Sequence, residues 1–197
     1  MKATIVSADE LKKELSGYTP EHAEEFHTES ARKADKKFDA ALKCSEHPTV
    51  ILMSGGPASG KTEFVSEYLL DKDVLVFDGI LPTENGAKIK IDHIRKSKKV
   101  IKIYAVWPED MKAAYVAFLN RDRKFSDKHF YEKHSAARRI LLWIATTYSD
   151  IAITIFKSAY LEGKLHFTEL VGRRDDMVAY IRENQYHQDD IMKIVSQ

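Results

Sequence analysis

The clearest chemical signature lies at positions 55–62, which read GGPASGKT and match the pattern G-x-x-x-x-G-K-[ST] without a mismatch. A backbone that wraps around phosphate groups needs glycine, because a Cβ atom would block the close approach and forbid some of the φ angles. In this pattern the lysine ammonium contacts the β- and γ-phosphates, and the threonine hydroxyl ligates Mg²⁺. We therefore predict that a nucleoside triphosphate, ATP or GTP, binds with Mg²⁺ at Gly55, Gly56, Pro57, Ala58, Ser59, Gly60, Lys61 and Thr62.

The segments on either side of this loop are those that such a loop requires. Residues 49–53 (TVILM) form a short β-branched and aliphatic run, typical of a buried parallel strand. Residues 63–70 carry apolar side chains at helical spacing. The amides of a loop between a strand and a helix point inward at the helix N-terminus and attract anions. This context favours a phosphate-binding loop over a chance match in a glycine-rich turn.

An acidic residue ends the next predicted strand, residues 74–79 (VLVFDG). In open parallel sheets, ligands bind beyond the carboxyl ends of the strands. Asp78 would therefore lie beside the loop, where it either completes the Mg²⁺ shell or accepts a proton from an acceptor hydroxyl. The alternative is that Asp78 and Gly79 only form the turn that leaves the strand.

A basic cluster lies between the third and fourth predicted strands. Guanidinium groups there could close over the phosphates and neutralise charge on the transferring phosphoryl group. We select Arg121 and Arg138 as catalytic candidates. The alternative is a solvated pair of basic helices, since Asp122, Asp127 and Glu132 are interspersed. The basic residues concerned are Arg121, Arg123, Lys124, Lys128, Arg138 and Arg139.

Strands and helices alternate along the chain. The third and fourth strands are predicted over residues 100–107 and 151–156, with an edge strand over 165–167. Helices are predicted over 8–16, 20–44, 86–98, 108–121 and 126–148, with one or two more after residue 173. Such alternation means a parallel sheet covered on both faces. We predict an α/β fold of the P-loop NTPase type, a three-layer sandwich with a mostly parallel central sheet and a helical N-terminal extension.

The length of 197 residues predicts a single domain. Within it, residues 1–47 form the predicted N-terminal helical extension and residues 48–157 the predicted nucleotide-binding core. Residues 158–197 are predicted to form C-terminal helices.

Composition excludes several classes of partner and site. Lys and Arg number 31 against 30 for Asp and Glu, so no global field favours nucleic acid or membrane. The single cysteine, Cys44, excludes an internal disulfide and suits a reducing cytosol. No apolar run has the length of a membrane span and no signal-peptide core is present, so we expect a cytoplasmic protein. The histidines lack the spacing of a transition-metal site.

The segment from about residue 49 to residue 156 resembles the zeta-toxin-like P-loop kinases, which include the UDP-N-acetylglucosamine kinases of toxin–antitoxin systems. The similar parts are the strand and loop at 50–62, the strand and Asp-Gly turn at 74–81, and the strand and helix start at 100–110. A charged helix precedes the loop, and arginines lie at positions 121, 123 and 138, where the family has its lid.

The resemblance implies phosphoryl transfer from ATP or GTP to a hydroxyl of a small molecule, with a nucleotide sugar as a candidate acceptor and an antitoxin as a candidate partner. Lys61 and Thr62 take the nucleotide and Mg²⁺ roles. Asp78 is the base or the acid of the Mg²⁺ shell, and Arg121 and Arg138 close over the phosphates.

The chain departs from this family in one segment. The family usually has a strand bearing a substrate-activating acid between the P-loop helix and the Asp-Gly strand, whereas here the helix leads directly to residues 74–79. Either Asp78 takes the role of the substrate-activating acid as well as that of the Asp-Gly strand, or this chain has fewer residues that act on the acceptor. Two other functions stay open, namely an NTPase with water as acceptor and a nucleotide-binding module that regulates a partner.

Overall fold

A six-stranded sheet forms the centre of the computed structural model, which describes residues 2–197. The strands lie in the order β1-β3-β2-β4-β5-β6; the first five run parallel, and β6 is antiparallel to β5. The predicted α/β fold with a mostly parallel sheet is confirmed. The strands are β1 (Thr4–Ser7), β2 (Thr49–Ser54), β3 (Val74–Asp78), β4 (Val100–Pro108), β5 (Ala152–Leu161) and β6 (Lys164–Leu170).

Helices cover both faces of this sheet. Odd and even residues of each strand point to opposite faces, so Val50 and Leu52 join the core under one set of helices, while Ile51 and Met53 join the core under the P-loop helix. The helices are α1 (Ala8–Lys13), α2 (His27–Cys44), α3 (Lys61–Phe64), α4 (Glu84–Lys96), α5 (Met111–Leu119), α6 (Asp127–Thr147), α7 (Arg174–Glu183) and α8 (Gln188–Ser196). Among the helices of residues 2–197, none is long and apolar enough to cross a membrane.

The N-terminal strand β1 was not predicted. A strand of four residues is too short to show a hydrophobic periodicity in the sequence. It pairs in parallel with β3, so that Ile5 lies opposite Val76. The helix predicted over 8–16 is present but ends at Lys13. The helix predicted from residue 20 begins as a 3₁₀ turn, Pro20–His22, and becomes α-helical only at His27.

The C-terminal half of the sheet is longer than predicted. Strand β5 runs to Leu161, and the edge strand predicted over 165–167 extends from Lys164 to Leu170. The tight turn between them has positive φ at Glu162 and Gly163, as a two-residue hairpin loop requires. The sheet therefore takes strands from both sides of the segment predicted as the nucleotide-binding core.

Candidate nucleotide-binding site

The GGPASGKT loop joins the carboxyl end of β2 to α3, as predicted. Gly55 has φ 143° and Gly60 has φ 89°, conformations that side chains rarely adopt. A Cβ atom on Gly55 would lie 2.4 Å from the carbonyl oxygen of Val106. Glycine is therefore required at Gly55 both by its φ angle and by the nearby carbonyl oxygen of Val106. Without side chains at these positions, the loop forms a cradle lined by its backbone amides.

Lys61 lies at the start of α3 and its side chain folds back over the loop. The ammonium donates hydrogen bonds to the carbonyl oxygens of Gly55 (2.8 Å) and Gly56 (2.9 Å). Burial lowers the pKa of Lys61, and the nearby carboxylate of Asp78 opposes that effect. This places a positive charge at the mouth of the cradle, where phosphate oxygens would compete with the two carbonyls.

Thr62 and Asp78 meet beside Lys61. The hydroxyl of Thr62 donates to Oδ2 of Asp78 across 3.2 Å. Asp78 ends β3, which lies next to β2, so parallel pairing brings the carboxylate to the loop as predicted. Burial raises the pKa of Asp78, an effect that the Lys61 ammonium partly offsets.

The oxygen donors at this point fit Mg²⁺ carried by a nucleotide. A hydroxyl and a carboxylate are hard oxygen ligands, and Mg²⁺ usually takes only one or two protein ligands together with phosphates and waters. Within residues 2–197 there is no cluster of three or more His, Cys, Asp or Glu side chains that could hold a metal ion. Thr62 and Asp78 are thus the residues of this site that would hold Mg²⁺.

A cleft of about 580 Å³ opens from the loop. It extends from the P-loop and the end of β3 to α1, the 3₁₀ turn and the connection between α5 and α6. The residues that line it are Ala8, Asp9, Glu10, Lys13, Tyr18, Pro20, His27, Pro57, Ala58, Ser59, Gly60, Lys61, Thr62, Glu63, Asp78, Gly79, Ile80, Phe118, Asn120, Arg121, Asp122, Arg123, Phe125 and His129.

The two selected arginines lie in different places. Arg121 lines the cleft, where burial and the neighbouring Arg123 lower its pKa. Arg138 does not line it: the side chain is 3% exposed and its guanidinium is held between the rings of Trp107 (4.2 Å) and Tyr186 (4.6 Å).

The surroundings of Arg138 account for this difference. One of its Nη atoms donates to the carbonyl oxygen of Asn184, and burial lowers its pKa to about 10. It faces a second cavity, of about 520 Å³, which Lys157 and Tyr180 also line. As a correction to the selection made from sequence, we remove Arg138 from the candidate catalytic set, because α6 carries it to the packing between β4 and the C-terminal helices.

Two residues of the site were missed from sequence. His134 on α6 is buried, and its Nε2–H donates to the carbonyl oxygen of Pro57 across 2.8 Å. Asp9 lines the cleft and pairs with Arg123. His134 has no local signal, and Asp9 was only one residue of the helix predicted over 8–16, so neither could be connected with the loop before the topology was known.

Comparison with known proteins bears on the fold. No family model matches the chain, and no curated protein sequence matches it significantly. A crystal structure of AvrRxo1-ORF1:AvrRxo1-ORF2 with sulphate ions matches with a TM-score of 0.51 at 12% identity, over 88% of this chain and 75% of the matched chain. A structure of AvrRxo1-ORF1:-ORF2 with ATP matches with a TM-score of 0.48 at 12% identity, over 83% and 73%. This chain has a P-loop NTPase-like fold.

Proposed function

We propose that this protein is a P-loop kinase that transfers the γ-phosphate of ATP or GTP to a hydroxyl of a small molecule. The observation that carries the proposal is the convergence of Lys61, Thr62 and Asp78 at the carboxyl edge of the sheet. An accidental match to the loop pattern would not require an acid from the neighbouring strand to meet the loop's threonine, as Asp78 meets Thr62 here.

The proposed division of work follows from the positions of these groups. The loop amides and the Lys61 ammonium bind the β- and γ-phosphates. Mg²⁺, when bound with the nucleotide, neutralises charge between these phosphates, and Thr62 and Asp78 would hold it. Arg121, which lines the same cleft, stabilises charge on the transferring group. The residues are thus arranged for positioning and electrostatics, the main requirements of phosphoryl transfer.

The extent of the cleft favours a kinase over an NTPase. Besides the loop, it is lined by Tyr18, His27 and Phe125, which belong to other parts of the chain than Lys61 and Thr62. A site for water alone would need no such extension, whereas a bound acceptor molecule would need both room and a wall to pack against. Kinship with the zeta-toxin-like kinases and a nucleotide sugar as acceptor remain part of this proposal.

A protein partner is a further part of the proposal. One structure of similar fold is that of AvrRxo1-ORF1:AvrRxo1-ORF2, a complex of two proteins. The second chain in that complex agrees with the expectation of an antitoxin-type partner for this one.

Transfer of label from γ-³²P ATP and GTP tests the proposed function. The acceptors would be nucleotide sugars, nucleosides, sugars and a deproteinised extract of the expression host, with product separated by thin-layer chromatography. Lys61→Ala is the inactive variant. Lys72→Ala, an exposed lysine beyond the same helix, is the matched control. Labelled product from wild type and from Lys72→Ala, but not from Lys61→Ala, would support the kinase. Label released only as inorganic phosphate would identify an NTPase. Nucleotide binding without label transfer or phosphate release would identify a regulatory module.

A further inference from the structure

The cleft contains a second carboxylate, and it comes from the strand that sequence reasoning missed. In the parallel register of β1 and β3, Ser7 lies opposite Asp78. The chain passes from Ser7 directly into α1, so that Asp9 follows two residues later and lines the cleft. The edge of the sheet that carries the P-loop therefore has acids beside two neighbouring strands, Asp78 on β3 and Asp9 after β1.

Three charged groups determine the state of Asp9. Its Oδ2 pairs with Nη1 of Arg123, and its Oδ1 lies 3.7 Å from Nζ of Lys12. Burial alone would raise the pKa of Asp9, but the Arg123 guanidinium and the Lys12 ammonium outweigh burial and keep that pKa below its usual value; the Lys61 ammonium acts in the same direction. Asp9 is thus ionised at neutral pH, and its side chain is still 42% exposed toward the cleft.

The two carboxylates have different neighbours. Asp78 contacts the hydroxyl of Thr62 at the start of the P-loop helix, which assigns it to the Mg²⁺ side. The ion-pair partners of Asp9 come from α1 and from the connection that carries Arg121 and Arg123. Asp9 therefore lines the same cleft as Asp78 but is held by groups outside the phosphate-binding loop.

Ring-bearing side chains line part of the cleft, with the Lys12 ammonium 4.6 Å from the Phe125 ring centroid and the Glu24 carboxylate 4.0 Å from Nδ1 of His129. Burial lowers the pKa of His27 and that of His129 to about 4, so both imidazoles are neutral at pH 7. Their rings contact each other edge to face at 5.1 Å, and His129 packs on Phe125 with ring centroids 4.4 Å apart. Such walls suit a compound with a ring that can pack on them and hydroxyls that can bond to imidazole nitrogens.

We propose that Asp9 is the catalytic carboxylate on the acceptor side, which orients the acceptor hydroxyl and takes its proton, and that the acceptor is a hydroxylated ring compound bound against His27, Phe125 and His129. This inference rests on the proposed kinase function. In the step, the acceptor oxygen forms a bond to the γ-phosphorus while its proton passes to Asp9. The bond from the γ-phosphorus to the β–γ bridging oxygen breaks, and the nucleoside diphosphate leaves. Arg123 is a positioning residue that fixes the Asp9 carboxylate.

The competing explanation is purely structural. The side chain of Lys12 is fully buried, and its Nζ lies 4.6 Å from the ring centroid of Phe125. Among residues 2–197 this Nζ has no hydrogen-bond partner. Asp9 could serve only to neutralise this buried ammonium. In that case its removal would lower stability and disturb the whole cleft, nucleotide binding included.

Asp9→Asn separates the two explanations, since it keeps the size of the side chain and removes its charge. Glu14→Gln, at the end of the same helix, is the matched control because Glu14 pairs with Lys33 on the surface outside the cleft. Three quantities are measured for each variant: affinity for Mg²⁺ with a fluorescent ATP analogue, label transfer from γ-³²P ATP and GTP into the host extract and into water, and the melting temperature.

We expect Asp9→Asn to bind the nucleotide as wild type does and to lose transfer by about 100-fold or more, the usual contribution of a general base. Glu14→Gln should retain both properties. Wild-type transfer in Asp9→Asn would overturn the catalytic assignment, and a fall in nucleotide affinity or melting temperature that matches the loss of transfer would show Asp9 to be structural. Absence of transfer by the wild-type protein itself, or equal transfer by Lys61→Ala, would instead overturn the proposed function.

Discussion

The imidazole of His134 donates a hydrogen bond from Nε2 to the carbonyl oxygen of Pro57, 2.8 Å away in the middle of the phosphate-binding loop. Because a carbonyl only accepts, Nε2 carries the hydrogen, and Nδ1 is the bare nitrogen of the neutral ring. Burial lowers the pKa of His134 to about 3, an effect that the hydrogen bond to Pro57 partly opposes. The shape of the loop thus depends on a neutral histidine from α6.

Acid should destabilise the protein through this histidine. The folded pKa of about 3 lies below the ordinary value of 6.5, so the unfolded chain binds the proton first. The stability that the neutral ring contributes is complete above pH 6.5 and declines as the pH falls toward 3. Burial of His27 and His129, with pKa values of about 4, acts in the same direction.

Thermal denaturation between about pH 7 and about pH 4 measures this effect. We expect the melting temperature of wild type to fall with pH, and His134→Gln to be less stable at neutral pH but to show a shallower decline. His166→Gln, which changes an exposed histidine of β6, should keep the wild-type slope. Equal slopes for wild type and His134→Gln would contradict the assignment.

Gly56→Ala should disturb the loop through the same contact. A Cβ on Gly56 would lie 2.3 Å from the ring of His134, which is buried and cannot move aside freely. Overpacking of this kind costs about 1–3 kcal/mol of stability, and nucleotide affinity should fall with it. The control is Gly172→Ala, where the nearest atom would be Cβ of Asp176 at 3.4 Å. Denaturant unfolding and nucleotide titration of both variants test this prediction. A Gly56→Ala protein as stable as Gly172→Ala would contradict the close packing of Gly56 against the His134 ring.

The pair of Thr62 and Asp78 predicts a specific Mg²⁺ dependence. Thr62→Val keeps the side-chain shape and removes the hydroxyl, so the Mg²⁺ concentration for half-maximal nucleotide binding should rise by roughly tenfold or more. Thr62→Ser retains the hydroxyl and should stay close to wild type. Because burial raises the pKa of Asp78, protons should compete with Mg²⁺ and weaken its binding as the pH falls. Mg²⁺ titrations with a fluorescent nucleotide test both statements; identical curves for Thr62→Val and Thr62→Ser would remove the hydroxyl from the metal site.

Arg121 and Arg138 should differ in what their loss affects. Arg121→Ala removes a guanidinium from the cleft and should lower transfer by about 100-fold or more with little change in stability. Arg138→Ala leaves a gap between Trp107 and Tyr186 and removes two cation–π contacts, each worth about 0.5–2 kcal/mol. It should therefore lower the melting temperature, with nucleotide affinity largely retained. Transfer assays and thermal denaturation of both variants test this difference. Loss of stability in Arg121→Ala together with loss of transfer alone in Arg138→Ala would contradict it.

The chemistry of this site could be predicted where it is local in sequence. The local sequence from residue 49 to residue 70 predicts the strand, the loop and the helix. The position of Asp78 beside the loop follows from the rule that parallel strands end at one edge of the sheet. Asp9 could not be found in this way, because β1 has four residues and lies in the sheet only through its pairing with β3. His134 and Arg138 lie one turn apart on α6, yet one contacts the loop and the other packs on Trp107. Tertiary packing, not the pattern of charges, decides which of them contacts the phosphate-binding loop.

Calorimetric titration with ATP and with GTP, in the presence of Mg²⁺, tests the central claim most directly, since every role proposed here depends on a triphosphate in the loop. Wild type and Lys72→Ala should bind one of the two nucleotides with equal affinity. Lys61→Ala should bind it at least about 100-fold more weakly, because the charge that holds the γ-phosphate is lost. Binding by Lys61→Ala as tight as by wild type, or no binding of either nucleotide by wild type, would contradict the account.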